Sequence, residues 1–366
     1  MSRPSGDPMG EHAPLDRPVG RRRFLRGAAV VGGGVAVGVA GAEILTRHTG
    51  SGGARPLPQL TPFARPAFDP AAFAPPGPAQ VAVIRQTSYG QGLELAIWNG
   101  LTAIGADVKG ANVLLKPNFV EYDASSAINT DPRLVAAAAL TLRRMGAAGV
   151  TVGEGPGHRR DTQFVMSSSG LLDALKEIDV PFVDLNTDSV RPVRLRSSYT
   201  NLTELWLPRT VADADIVVSM PKMKTHHWAA VTLSLKNCFG CVPGRVYGWP
   251  KNALHWAGLQ QSILDVAGAV RPGYAIVDGI VGMEGNGPIS GTPVAAGLLV
   301  FGDDPVATDV TAATLMGFDP LKIDYLREAG RFLGQGDPEM IRQTGEDPGG
   351  DAKDFRVLSP FEAMKV

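Results

Sequence analysis

The sequence predicts an α/β protein, with a mainly parallel sheet, helices on both faces and a small β-rich insertion. Three observations predict it. Short apolar runs alternate with segments of helical spacing, beginning with Val81 to Ile84 and then Gly92 to Ile104. Several runs are continuously apolar rather than alternating, as strands covered on both faces are. Five of them end in polar loops punctuated by Gly or Pro, the connections a strand–helix alternation requires.

In chain order, Val81 to Ile84 is read as the first strand, with the folded region opening near Gln80. Leu93, Ile97, Leu101 and Ile104 then share one helical face. Asn112 to Lys116 is a strand ending in Lys116-Pro117-Asn118. Asp131 caps a helix that Pro132 begins and that runs on to Met145. Val150 to Val152 leads into Gly153-Glu154-Gly155, and Gln163 to Ile178 is one further helix. Pro181 to Asp184 is a short strand, and the alternation in Val193-Arg194-Leu195-Arg196 marks an antiparallel insertion between Val190 and Pro208. Ile216 to Met220 is a buried strand that Pro221 stops, since proline has no N–H for the ladder. Leu254 to Val270 is a helix, and Tyr274 to Val277 is a strand ending in Asp278-Gly279. Gly297 to Phe301 ends in Asp303-Asp304, where Asp304 caps a helix that Gly317 closes. Residues 336–366 read as an irregular tail.

The 366 residues, 44% hydrophobic and 19% charged, describe an ordinary globular core. A net charge of −1, without a basic stripe interleaved with aromatics, argues against a nucleic-acid partner. The N-terminus is distinct. Arg21-Arg22-Arg23-Phe24-Leu25-Arg26 precedes a Gly/Ala/Val run ending at Ala42. This pattern predicts a twin-arginine signal over residues 1–42, with the translocase as a transient partner. The alternative is an uncleaved anchor; the run is short and Gly-rich beside the ~20 apolar residues that a span requires. Residues 43–79, dense in Pro and Gly, read as a stiff linker to an α/β domain over 80–335.

In a parallel sheet the five strand ends share one edge, so polar residues distant in sequence converge there. The densest group lies between Met220 and Gly244, which holds both cysteines and two of the six histidines. Lys222, Lys116 and His226 are the candidate catalytic residues, with His226 as general acid or base because its ordinary pKa lies nearest neutrality. Asn118, Glu154, Lys224, Lys236, Asn237 and Asp278 are the candidate substrate-binding residues, their lysines neutralising a carboxylate or phosphate. His227, Cys238 and Cys241 are candidate metal ligands, because Cys-Phe-Gly-Cys has the spacing of a metal knuckle. The same spacing suits a disulfide or thiol-redox pair, which an exported location favours. Two cysteines do not supply the four ligands of a usual [4Fe–4S] cluster.

Five motifs in order resemble the family called domain of unknown function 362. They are Val113 to Asn118, Pro221 to His226, Ser234 to Asn237 with Phe239-Gly240, Asp278 to Pro288, and Asp304 to Asp309. Some members add a ferredoxin-like cysteine cluster, which this chain lacks. The resemblance implies that Lys116, Asn118, Lys222, Lys224, His226, Lys236 and Asn237 belong to one site, and it implies no reaction. Sequence therefore leads to an exported protein with a cationic pocket for an anionic small molecule, either an enzyme or a ligand-capturing protein. A metal or redox carrier built on the two cysteines is the remaining reading.

Overall fold

The structure, a computed structural model, describes residues 68, 72–73, 76–157, 161–249 and 251–366. The export signal and most of the linker expected from sequence lie outside these residues. The described residues all fall in one compact unit. Its strands are β1 (Ala79–Arg85), β2 (Asn112–Pro117), β3 (Gly149–Glu154), β4 (Phe182–Asp184), β5 (Val190–Arg194), β6 (Glu204–Pro208), β7 (Ile216–Met220), β8 (Lys222–His226), β9 (Ala230–Thr232), β10 (Tyr274–Glu284), β11 (Thr292–Val294), β12 (Leu298–Gly302) and β13 (Ile341–Gly345).

Eleven strands form one sheet along the order β13-β1-β12-β10-β7-β2-β3-β4, with β8 and β11 on β10 and β9 on β8. Strands β10, β7, β2, β3 and β4 run parallel. Strand β12 is antiparallel to both its neighbours, β1 and β10. The expected antiparallel insertion is present as a separate ribbon, β5 with β6.

Alternation along the strands feeds two cores. Val113, Leu115, Val152, Val218 and Ile276 pack with the helices Leu93–Ala103 and Pro132–Arg144. Leu114, Val217, Val277 and Val300 pack with Leu259–Val270 and Pro305–Leu315. Burial on both faces accounts for the continuous apolar runs. Asp131 caps its helix by accepting from Arg133 N, and Asp304 accepts from Val306 N and Ala307 N.

Several sequence expectations are corrected. The end of β12 does not share an edge with the others: as an antiparallel strand it carries Asp303 and Asp304 to the opposite edge, beside Gln80. Pro221 does not end extended structure. Its carbonyl accepts from Asp278 N at 2.8 Å, and the chain resumes at once as β8 beside β10. Strand β10 likewise runs through Asp278 to Glu284. The helix expected over 163–178 is two, Thr162–Ser168 and Leu171–Glu177, parted by Gly170 at φ 79°. Gly258, at φ 104°, parts Asn252–Trp256 from Leu259–Val270 in the same way. Residues 336–366 are not wholly irregular, since β13 pairs in parallel with β1 and closes that edge. Within the expected linker, Phe68 and Phe73 pack against Phe332 at ring-centroid distances of 4.7 and 4.8 Å. No helix among the described residues is long and apolar enough to cross a membrane.

Candidate functional site

Strands β2 and β7 are parallel neighbours with Lys116 opposite Ser219, so the loops after both leave at one edge. What gathers there is a set of five lysines in two different electrostatic states.

Lys116 and Lys222 are paired. Lys116, 1% exposed, donates to Glu154 Oε2 at 2.7 Å and to the Pro117 carbonyl at 2.6 Å, with Asn237 Oδ1 at 3.4 Å. Glu154 also accepts from Phe119 N and Gly155 N, so both its oxygens are engaged. Asn237 ties the assembly together: its Nδ2 donates to the Lys116 carbonyl and Ser219 Oγ, and its Oδ1 accepts from Asn118 Nδ2. The Cys238–Cys241 turn packs directly on this pair. A Cβ at Gly240 would stand 2.3 Å from both Glu154 Oε1 and Lys116 Nζ, so only glycine brings backbone this close.

Lys222 mirrors this on β8. It lies opposite Asp278 in register and donates to Asp278 Oδ2 at 2.7 Å. Asp278 also accepts from Asp131 N and from the Tyr89 hydroxyl, which in turn accepts from Lys222 at 3.0 Å. Lys116 and Lys222, expected to be catalytic, are thus engaged in buried ion pairs that pin the sheet edge to its loops. Tyr89 has no signature in the sequence, since nothing around it marks a partner 189 residues away.

Lys224, Lys236 and Lys251 have no carboxylate within ion-pair distance among the described residues. Lys224 is fully buried and donates to the Ile128 carbonyl at 2.7 Å. Burial, with Lys236 and Lys222 nearby, pushes its pKa well down. Lys236 is partly exposed and stands 4.9 Å over the Phe239 ring, with its pKa lowered to about 8 by burial and by Lys116. Lys251, 2% exposed, donates to the carbonyls of Gly155 at 2.6 Å and Phe239 at 3.0 Å, and burial lowers its pKa to about 7. Lys251 stands alone after a Trp-Pro pair, and its sequence gives no cue to this role.

Imidazoles complete the group. His226 Nδ1 accepts from Trp228 N at 3.0 Å and Ala229 N at 3.2 Å. That geometry occupies the Nδ1 lone pair and places the proton of a neutral ring on Nε2, so of the acid or base role expected from sequence it leaves His226 a proton to donate. Burial and Lys236 push its pKa well down. The His227 ring stacks on His226 at 4.9 Å and packs edge-on against Trp228 at 4.5 Å. His255, four residues after Lys251, packs against Phe239 at 5.4 Å and Trp228 at 6.1 Å.

The expected metal set does not gather. Cys238 and Cys241 are buried free thiols against the Lys116–Glu154 side, while His227 Nδ1 bonds the Gly287 carbonyl. Among the described residues no group of three or more His, Cys, Asp or Glu is arranged to hold a metal. Both thiols lie in the apolar core, and burial pushes both up, Cys241 to about 11.

Asp309 anchors the segment that carries Lys236 and Asn237. From the helix Pro305–Leu315 it accepts from Ser234 N at 2.7 Å and Leu235 N at 2.9 Å. A groove of about 930 Å³, lined by Tyr89, Leu95, Trp98, Arg133, Leu140 and Arg144 among others, lies between helices and contains none of the unpaired lysines.

The family described as a domain of unknown function, DUF362, matches residues 113–314, a span containing every candidate residue from Lys116 to Asp278. A thylakoid-associated protein of Synechocystis sp. is 32% identical over 254 residues, covering 66% of this chain and 76% of that protein. Among solved structures, the lactate racemase apoprotein of Thermoanaerobacterium thermosaccharolyticum is similar with a TM-score of 0.39 and 13% identity. That likeness covers 55% of this chain, which spans 50% of the racemase chain.

Proposed function

We propose that this chain, which belongs to the DUF362 family of domains of unknown function, binds an anionic small molecule at the carboxyl edge of its parallel sheet. One observation carries the reading: Lys224 and Lys251 each feel the charge of Lys236, and none of the three has a carboxylate within ion-pair distance among the described residues, Glu154 acting on Lys224 and Lys251 only from further off, whereas Lys116 and Lys222 are each paired. Buried cations repel one another and lose hydration, so the empty site is costly and an oxyanion relieves it. Polar atoms in the same region support the reading. Asn118 Oδ1, Thr232 Oγ1 and Ser234 Oγ are buried without a hydrogen-bond partner, and Thr232 lies opposite Lys224 in register. Trp228, 44% exposed beside the imidazoles, places an apolar surface at the margin of the site. Native mass spectrometry of the purified full chain tests this. A small anion retained by wild type and lost from Lys236→Met supports the reading; ligand retained equally by both contradicts it.

The protein is further proposed to work outside the cytoplasm, on the strength of the Arg21–Arg26 cluster and the following Gly/Ala/Val run. Arg22→Lys with Arg23→Lys is expected to hold the protein in the cytoplasm. Cell fractionation decides, and undiminished export of the double variant contradicts the assignment.

A further inference from the structure

Hydrogen bonds fix which nitrogen carries the proton in the imidazoles around Trp228. His226 spends its Nδ1 lone pair on two backbone amides. His227, whose Nδ1 lies 2.7 Å from the Gly287 carbonyl, is the reverse, and so is His255 beside Lys236. The His255 Nδ1 lies 3.1 Å from the Lys251 carbonyl, one helical turn back. A carbonyl can only accept, so Nδ1 carries the proton and Nε2 keeps its lone pair. The ring is held between Phe239 and Trp228 and remains partly exposed. Phe239 carries Lys236 over its face, which places the imidazole beside the cation expected to meet the anion.

The charged and titratable groups around His255 are Lys236 from the segment Ser234–Asn237, Lys251 from its own turn, and His227 from the turn after β8. None is acidic. Burial and these neighbours lower the His255 pKa to about 4, so the ring is neutral when the site is empty. An anion in the pocket cancels the field of the lysines and raises the proton affinity of the ring.

We propose, resting on the anion-site reading, that His255 rather than His226 is the proton acceptor of this site, and that the substrate is an oxyanion with an acidic O–H or C–H beside its charged group. In the step, the substrate proton passes to His255 Nε2 and makes an imidazolium, whose Nδ1–H stays on the Lys251 carbonyl. The electron pair of the broken bond stays on the substrate, in the field of Lys236. The reverse transfer restores the neutral ring, so no oxidant or reductant is required. The substrate's charge thereby favours the base that deprotonates it.

Ring-nitrogen NMR of the full chain labelled with ¹⁵N-histidine tests this, using sulfate as a probe that does not titrate near neutrality. At pH 7 without sulfate, His255 is expected to show a protonated Nδ1 and a bare Nε2, and His226 the opposite. Saturating sulfate is expected to raise the protonation midpoint of His255 by about one pH unit, a tenfold gain in proton affinity. Lys236→Met is expected to remove that shift. A His255 proton on Nε2 overturns the proposal. So does a midpoint that sulfate leaves in place while still raising the melting temperature, a result that spares the anion reading. Sulfate without effect on melting overturns the anion reading and the proposal with it.

Discussion

Lys116→Met is expected to lower the unfolding free energy by about 3–5 kcal/mol, the usual cost of leaving one buried partner charged and alone. Glu154 is 1% exposed, and without Lys116 its carboxylate keeps only the amides of Phe119 and Gly155. Glu154→Gln alone is expected to cost a similar amount by stranding the ammonium. The double variant Lys116→Met, Glu154→Gln removes both charges, so its cost should fall short of the sum by about 2 kcal/mol. Urea titration of the four proteins measures this. Strict additivity, or single variants no worse than surface substitutions, contradicts an ion pair that fastens the Cys238–Cys241 turn to β2 and β3.

The second large effect is a pH dependence of unusual sign. Lys251 has a folded pKa of about 7 against an ordinary value of 10.5. Between those values the unfolded chain holds a proton that the folded chain has released, so this group makes stability rise with pH. The slope approaches about 1.4 kcal/mol per pH unit at its steepest. Asp309 works the other way: burial raises its pKa to about 8 from 3.8, and its contribution is lost as pH rises through that range. The measurement is therefore a difference. Wild type is expected to gain about 2 kcal/mol on Lys251→Met between pH 7 and 9, with Asp309 cancelling. A constant difference across that window contradicts a neutralised Lys251.

The legible parts of the molecule were those with local causes. Asp131-Pro132 and Asp304-Pro305 announced helix starts because the cap and the fixed φ lie in adjacent residues. Continuous apolar runs announced strands covered on both faces. The direction of β12 was not legible, since an apolar run carries no arrow and its neighbours β1 and β10 are distant in sequence. The missing N–H of Pro221 signals a stop, but its carbonyl keeps the ladder going through Asp278. The lysines were visible as a cluster. Their division into paired and unpaired was not, because Glu154 meets Lys116 from the end of the neighbouring strand β3 and Asp278 meets Lys222 across β8 and β10, contacts made only by the tertiary fold. Tyr89, Lys251 and His255 were missed for the same reason: each acts through a tertiary neighbour.

The central claim, a buried cationic pocket built for an anion, is tested most directly by thermal melts in sulfate against chloride at matched ionic strength. Matching removes general screening, which acts on every surface charge alike. Wild type is expected to be stabilised by about 2.7 kcal/mol when sulfate reaches about a hundred times its Kd. Lys236→Met, which removes a partly exposed cation and breaks no ion pair among the described residues, is expected to fold normally and lose that response. Equal stabilisation of the two proteins, or none in wild type, contradicts the account.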